Sequence, residues 1–266
     1  MNAYDMLKGA WRYRGFVLGS VRREFQASYR NALLGAAWRV LNPLAMILVY
    51  TVVFAEVMRA RLPGSGSTFG YSVFLCAGVL TWGLFAEITS RGVNVFLESA
   101  NLIKKLNFPR ICLPLIVVLT AGLNFAIIFG LFTLFLLVSG NFPGLVYVAL
   151  LPVMAVLVLF AVGLAILLGV LNVFFRDVGQ FFVILLQFWF WFTPIVYPAT
   201  TLPPAVRALL RWNPMAPLIN ACQQILVEGA WPHWPDLLLP LVTGMLLCAA
   251  GLQLFRRRAG EMVDEL

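Results

Sequence analysis

Charged residues are scarce in this sequence. Asp, Glu, Lys and Arg together account for 11% of the 266 residues, and there is one histidine. A soluble domain of this length needs far more polar surface, so the composition excludes an ordinary soluble fold. The 11 acidic residues stand singly or in the C-terminal tail. This disfavours an intramembrane enzyme such as a lipid-linked sugar transferase, because such an enzyme needs clustered carboxylates or a set of metal ligands. It also disfavours a proton-coupled transporter, which needs buried acidic residues in facing spans.

Lysine and cysteine are also sparse. The three lysines are Lys8, Lys104 and Lys105, and none follows a glycine, so the phosphate-binding loop of ATPases is absent. We therefore expect no cofactor on this chain, and ATP that drives its activity must be bound by another subunit. The cysteines are scattered through apolar stretches: Cys76, Cys112, Cys222 and Cys248. Their spacing fits neither a metal site nor a disulfide framework, so we interpret them as small core residues.

What the sequence has is long apolar runs, since 62% of its residues are hydrophobic. A membrane-spanning helix needs about 20 such residues. The runs predict an all-α membrane protein with six spans, at 36–58, 71–97, 111–139, 145–173, 180–196 and 237–255. The remaining apolar stretch, 202–229, carries four prolines and three charged residues. Proline removes backbone donors, so we expect two short helices there, dipping into the membrane or lying at its surface.

The basic residues predict the orientation. With the N-terminus inside, 14 basic residues fall in cytoplasmic segments and four, Arg59, Arg61, Arg207 and Arg211, fall outside. Basic residues favour the cytoplasmic side, so both termini are predicted to be cytoplasmic. Residues 1–10 lack the apolar core of a signal peptide, so we expect the first span to act as the insertion signal. The basic residues that give the net charge of +8 lie next to the spans, and they form no separate basic domain that would bind nucleic acid.

The segment from Trp11 to Leu34 has the pattern of a basic amphipathic helix. Apolar residues recur at steps of four on one face: Val17, Val21, Phe25, Tyr29 and Leu33. Basic and polar residues occupy another face: Arg22, Arg23, Gln26 and Arg30. Such a helix lies in the membrane plane with its arginines toward anionic headgroups. It either serves as an anchor only or also contacts a cytoplasmic partner, and we divide the chain into this helix, 1–35, and a single six-span domain, 36–266.

The cytoplasmic loop from Glu98 to Arg110 has an apolar centre. Its apolar residues are Leu102, Ile103, Leu106 and Phe108. A loop that only connects two spans would be polar throughout, so this pattern is compatible with docking on another protein.

Five motifs in this order resemble one family. They are RREFQASYRNALLGAAWRVLNPL (22–44), NLIKKLNFPRICLPL (101–115), NVFFRDV (172–178), TPIVYP (193–198) and WNPMAPLI (212–219). The chain resembles the permease subunits of type-2 ABC exporters for O-antigen, capsular polysaccharide and teichoic acid. A type-2 exporter of a drug or another lipid shares the fold and is the alternative.

The resemblance implies a homodimeric permease in the bacterial inner membrane, paired with two copies of an ATPase that binds ATP and Mg²⁺, exporting a lipid-linked glycan. It implies that segment 98–110 is the coupling helix that docks on the ATPase, with contacts at Lys104, Lys105, Leu106, Asn107, Phe108 and Arg110. It implies an interface helix with Arg22, Arg23, Glu24, Phe25, Tyr29 and Arg30. Segment 202–229 would form periplasmic gate helices.

Aromatic residues, 14% of the chain, suggest where a glycan passes, because sugars stack their C–H faces on aromatic rings. The residues predicted to line this path are Trp82, Phe85, Trp189, Trp191 and Tyr197. Glycines within the spans predict close helix packing: Gly78, Gly83, Gly130, Gly163 and Gly169. Glu87 and Arg91 are four residues apart on one span, so they are expected to pair on one helix face or to mark a functional site.

Overall fold

The structure, a computed structural model, describes residues 11–27, 70–105 and 108–265, with a few single positions between 41 and 52. The predicted first span, 36–58, otherwise lies outside the described residues. Within them the chain forms helices and no strand. The α-helices are α1 Arg14–Ala27, α2 Gly70–Glu98, α3 Ala100–Lys105, α4 Cys112–Val138, α5 Leu150–Phe174, α6 Asp177–Trp191, α7 Pro204–Leu210, α8 Met215–Gln223, α9 Leu238–Arg258 and α10 Met262–Glu265.

In the described ranges, four helical segments are long and apolar enough to cross a membrane. They are Gly70–Glu98, Cys112–Val138, Gly144–Phe174 and Trp234–Arg258, the last two including a 3₁₀ turn before α5 and α9. These bounds agree with the predicted second, third, fourth and sixth spans to within three residues. The prediction of an all-α polytopic membrane protein is therefore confirmed.

The predicted fifth span, 180–196, differs from the structure. Helix α6 begins at Asp177 and ends at Trp191. Its 15 residues are about 22 Å long, less than a bilayer core of about 30 Å. The chain continues through Thr193, Pro194 and Ile195 without helical structure, and these residues are buried in the protein. Irregular backbone is tolerated at membrane depth where protein covers it, and periodicity alone does not reveal that cover.

Helix α2 lies at the centre of the bundle, and 72% of its most apolar 18-residue stretch is buried. It packs against α4 and α5, and α5 packs in turn against α9. Glycines make these approaches close: a Cβ built on Gly92 of α2 would lie 2.5 Å from the Cβ of Ala165, and one on Gly163 would lie 2.7 Å from the backbone nitrogen of Cys248. Gly78 and Gly169 are similarly tight, whereas Gly83 and Gly130 have open space around them. Three of the five predicted packing glycines thus lie at helix contacts within one chain.

The NVFFRDV motif forms the turn between α5 and α6. Asn172, buried at the end of α5, donates to the carbonyl of Val93 at 3.0 Å and accepts from the backbone N–H of Gly179 at 2.8 Å. One side chain thus joins α2, α5 and α6. Buried polar groups need partners, and Asn172 supplies them where helix ends leave backbone groups unpaired.

The segment 202–229 contains two short helices, α7 and α8, followed by a π-helical turn at Gln224–Glu228. Gln223, at the end of α8, is buried and donates to the carbonyl of Ile195 at 3.2 Å. It therefore joins α8 to the irregular segment after α6.

Candidate functional site

Helix α1 lies against the start of α4. Val17 and Val21 are buried and pack on Cys112 and Ile116, whereas Arg22 and Arg23 are exposed. The described part of the helix, Arg14–Ala27, has the predicted basic and apolar faces, but its buried valines pack on α4 and not at the lipid boundary predicted for this face. Of the other predicted interface-helix residues, Glu24 and Phe25 are half-buried, and Tyr29 and Arg30 lie outside the described residues.

The apolar centre of the loop 98–110 packs on the chain itself. Ile103 of α3 is buried, and the ring of Phe108 lies 5.0 Å from that of Phe16 on α1, measured between centroids. The Arg110 guanidinium donates to the carbonyl of Ala259, so it is also engaged within the chain. The apolar character of Ile103 and Phe108 is therefore explained by contacts within the chain. Lys104 and Lys105 are exposed.

Leu106 and Asn107, two of the predicted docking residues, lie outside the described residues. The predicted docking role of the loop stays a prediction, and among the predicted docking residues that the structure describes, Lys104 and Lys105 are the exposed ones.

A polar ladder joins α1, α2 and α4. We use this name for Glu24, Glu87, Arg91, Thr120 and Asn124. Arg91 forms an ion pair with Glu24, and its Nη1 lies 3.5 Å from Oε1 of Glu87. Thr120 donates to Glu24 at 3.2 Å, and Asn124 donates to Glu87 at 3.0 Å.

The predicted pairing of Glu87 with Arg91 is confirmed, but the other members of the ladder were not predicted. The signal for Glu24 was present in the sequence, because Val17, Val21 and Glu24 fall on one helix face. Thr120 and Asn124 are likewise one turn apart on α4.

Trp82 and Phe85 belong to a buried aromatic cluster, which we define as Trp82, Phe85, Phe160, Trp189 and Phe190. The ring of Phe85 stacks on Phe160 at 5.6 Å and meets the edge of Trp189 at 5.3 Å. Phe85 has no exposed surface and Trp82 is 8% exposed. In this conformation the two rings pack helices α2, α5 and α6 together and offer no face to a passing glycan.

The other rings predicted for the glycan path lie nearer the surface. Trp189 is half-buried in the cluster, whereas Trp191 is 61% exposed and its neighbour Phe192 is 68% exposed. The hydroxyl of Tyr197 donates to the carbonyl of Trp191 at 2.6 Å, which ties the following loop to the end of α6. Among the predicted rings, Trp191 presents the most surface.

Asn213 joins two of the sequence motifs. Its side-chain oxygen accepts from the Trp189 indole N–H at 2.9 Å, and its amide nitrogen donates to the Thr193 hydroxyl at 3.0 Å. The same oxygen accepts from the backbone N–H of Met215 at the start of α8. The end of α6 and the start of α8 are therefore held together. The sequence did not reveal this link, because Trp189 and Thr193 lie 24 and 20 residues from Asn213.

A cavity of about 710 Å³ opens beside α7 and α8. Its polar lining includes Arg207, Arg211, Asn220 and Asp236, and its walls include several prolines. Arg207 donates to the carbonyls of Thr200 and Leu202, which fixes the loop before α7. In the part of the chain that the structure describes, no three His, Cys, Asp or Glu side chains are grouped to hold a metal ion.

Known proteins are similar in sequence to this chain along nearly its whole length. Residues 17–227 match the family described as ABC-2 type transporter. The O-antigen export system permease protein RfbA of Klebsiella pneumoniae is 31% identical over 236 residues, 88% of each chain. RfbA of Myxococcus xanthus is 31% identical over 264 residues, 98% of this chain and 99% of that protein. The polysialic acid transport protein KpsM of Escherichia coli is 21% identical over 242 residues, 91% of this chain and 92% of that protein.

The family match covers residues 17–227, which is most of the chain. The chain belongs to the ABC-2 type transporter family of membrane proteins.

Proposed function

We propose that this chain is the transmembrane permease subunit of an exporter that moves a lipid-linked polysaccharide, O-antigen or capsule-like, across the bacterial inner membrane. The observation that carries the proposal is its similarity to relatives named as O-antigen export permeases, which extends over 98% of this chain in one case. The chain has no phosphate-binding loop, so a separate ATPase subunit would hydrolyse ATP. Two copies of each subunit would form the exporter.

The two ends of the bundle would serve different partners. The cytoplasmic end, with α1 and the exposed lysines at the end of α3, would contact the ATPase and anionic lipids. The opposite end, with the exposed rings of Trp191 and Phe192 and the cavity beside α7, would release the glycan. The aromatic path and the gate role of α7 and α8 are part of this proposal.

Deletion of the gene should remove surface glycan, and the wild-type chain should restore it and co-purify with an ATPase.

Within this test, Lys104→Glu with Lys105→Glu should abolish co-purification and export while the permease still accumulates, because two reversed charges oppose a contact surface that accepted two cations. Export and ATPase capture are read by glycan immunoblot and pull-down. Lys8→Glu, elsewhere on the cytoplasmic side, is the control for charge alone. Normal capture by the double variant would remove the lysines from the docking surface.

Orientation is tested by thiol labelling from outside the cell membrane. Thr200→Cys should react with an impermeant maleimide in intact spheroplasts, and Asn101→Cys should react only after the membrane is opened, because the two exposed positions are predicted to lie on opposite sides. Three native cysteines are buried and Cys248 is half-buried, so the wild-type chain provides the blank. Labelling of Asn101→Cys in intact spheroplasts would contradict the predicted topology.

A further inference from the structure

The polar ladder stands where apolar residues would be expected. Arg91 is seven residues before the end of α2, which places it about 10 Å along the helix from that end. Glu87 lies a further turn inside. Charged side chains within spanning helices are costly and usually face a partner or a pathway. Here Glu87 and Arg91, the two charged residues inside α2, contact α1 and α4.

The contacts make Arg91 the centre of the ladder. Its guanidinium bridges a carboxylate of α1 and a carboxylate of its own helix, and each carboxylate receives a second hydrogen bond from α4. The side chains of Glu24, Glu87 and Arg91 remain 37%, 28% and 31% exposed. Ion pairs of this kind contribute little stability compared with apolar packing of similar volume, so stability alone does not explain them.

The ladder connects two parts of the bundle that are otherwise held by different contacts. Helix α1 touches α4 through Val17 and Val21, and the Glu24–Arg91 ion pair ties it to α2. Less than two turns further along α2, Phe85 is locked in the aromatic cluster with rings of α5 and α6. A continuous helix therefore runs from the ladder to the cluster.

We propose that Arg91 is a positioning residue that couples movement of α1 to α2, so that a displacement imposed on α1 at the cytoplasmic surface reaches the aromatic cluster. The proposal rests on the proposed function, because the displacement would come from the ATPase. Glu24 is the contact through which α1 acts, and Glu87 with Asn124 holds the Arg91 side chain in reach. A rigid helix with packed ends carries such a displacement through contiguous contacts.

The test measures glycan exported per ATP hydrolysed, with the permease and its ATPase together in membranes. Arg91→Gln should lower this ratio by about tenfold, within the range of coupling between side chains in contact. Glu24→Gln should have a similar effect, and the two changes together should be no worse than either alone. Arg91→Lys, which keeps the charge, should recover part of the ratio.

A variant without the charges of the ladder distinguishes a coupling role from a role in folding. Glu24→Gln, Glu87→Gln and Arg91→Gln together remove all three charges of the ladder, so this variant should accumulate, bind the ATPase and hydrolyse ATP while export stays low. Full export by the neutral variant would overturn the proposal, and so would its failure to accumulate, which would assign the ladder to folding. Failure of the proposed function is a different result, because the wild-type chain itself would then export no glycan.

Discussion

Replacing Gly163 with valine should prevent the chain from accumulating in the membrane. A Cβ at this position would lie 2.7 Å from the backbone nitrogen of Cys248 and 2.9 Å from the Cβ of Leu247 on α9. Neither atom belongs to a flexible side-chain end, so α5 and α9 would have to separate. Overpacking of a tight core costs about 1–3 kcal/mol, and more where backbone is displaced, against a total stability of about 5–15 kcal/mol.

The measurement is an immunoblot of the membrane fraction beside thermal unfolding in detergent. Gly130→Val is the matched control, because Gly130 is also a glycine inside a long apolar helix and a Cβ there meets nothing within 4 Å. Both variants replace a glycine inside a long apolar helix with valine. They differ in the α5–α9 contact, which Gly163 makes and Gly130 does not. Equal accumulation of the two variants would contradict the close packing of α5 on α9.

Removing the side-chain rings of Trp82 and Phe85 on α2 should prevent folding, so that loss of transport would be a secondary effect. In the Trp82→Ala and Phe85→Ala double variant, the buried aromatic cluster loses the rings that join α2 to α5 and α6. Each change from a large aromatic residue to alanine in a core costs about 3–5 kcal/mol, although neighbouring effects do not add fully. We expect little or no protein in the membrane fraction and therefore no exported glycan.

The comparison is the Trp191→Ala and Phe192→Ala double variant, whose rings are mostly exposed. This protein should accumulate and capture the ATPase at wild-type levels, because it loses little buried area. If these rings contact the glycan, surface glycan should fall in this variant. Normal accumulation with lost export in the Trp82 and Phe85 variant would instead show that the buried pair lines the path in another conformation.

The sequence was most informative where a single helix carries its own signal. The bounds of α2, α4, α5 and α9 followed from the length of apolar runs, because a spanning helix satisfies its own backbone hydrogen bonds and needs no knowledge of its neighbours. The same reasoning gave the amphipathic face of α1 and the pair Glu87 and Arg91, which are neighbours one turn apart. It was misleading for α6, because the helix ends at Trp191 and the chain continues as irregular backbone that is buried from Thr193 to Ile195.

Functional roles assigned to single side chains depended on surroundings that the sequence does not contain. Apolar residues at 102–108 were read as a docking surface, yet Ile103 and Phe108 pack on the chain itself. Trp82 and Phe85 were read as a path, yet they form a core. In both cases the residue type was compatible with either role, because a ring or an apolar side chain has the same chemistry whether its neighbour is a ligand or another helix.

Composition, charge asymmetry and motifs are properties of the linear chain, so they were enough to predict a membrane protein, its orientation and its family. The contacts between glycines and neighbouring helices, the burial of particular rings and the ion pair of Glu24 with Arg91 became visible in the folded chain. The ion pair, for example, joins residues 67 positions apart. Such contacts arise from the packing angles of several helices at once, and no local pattern specifies those angles.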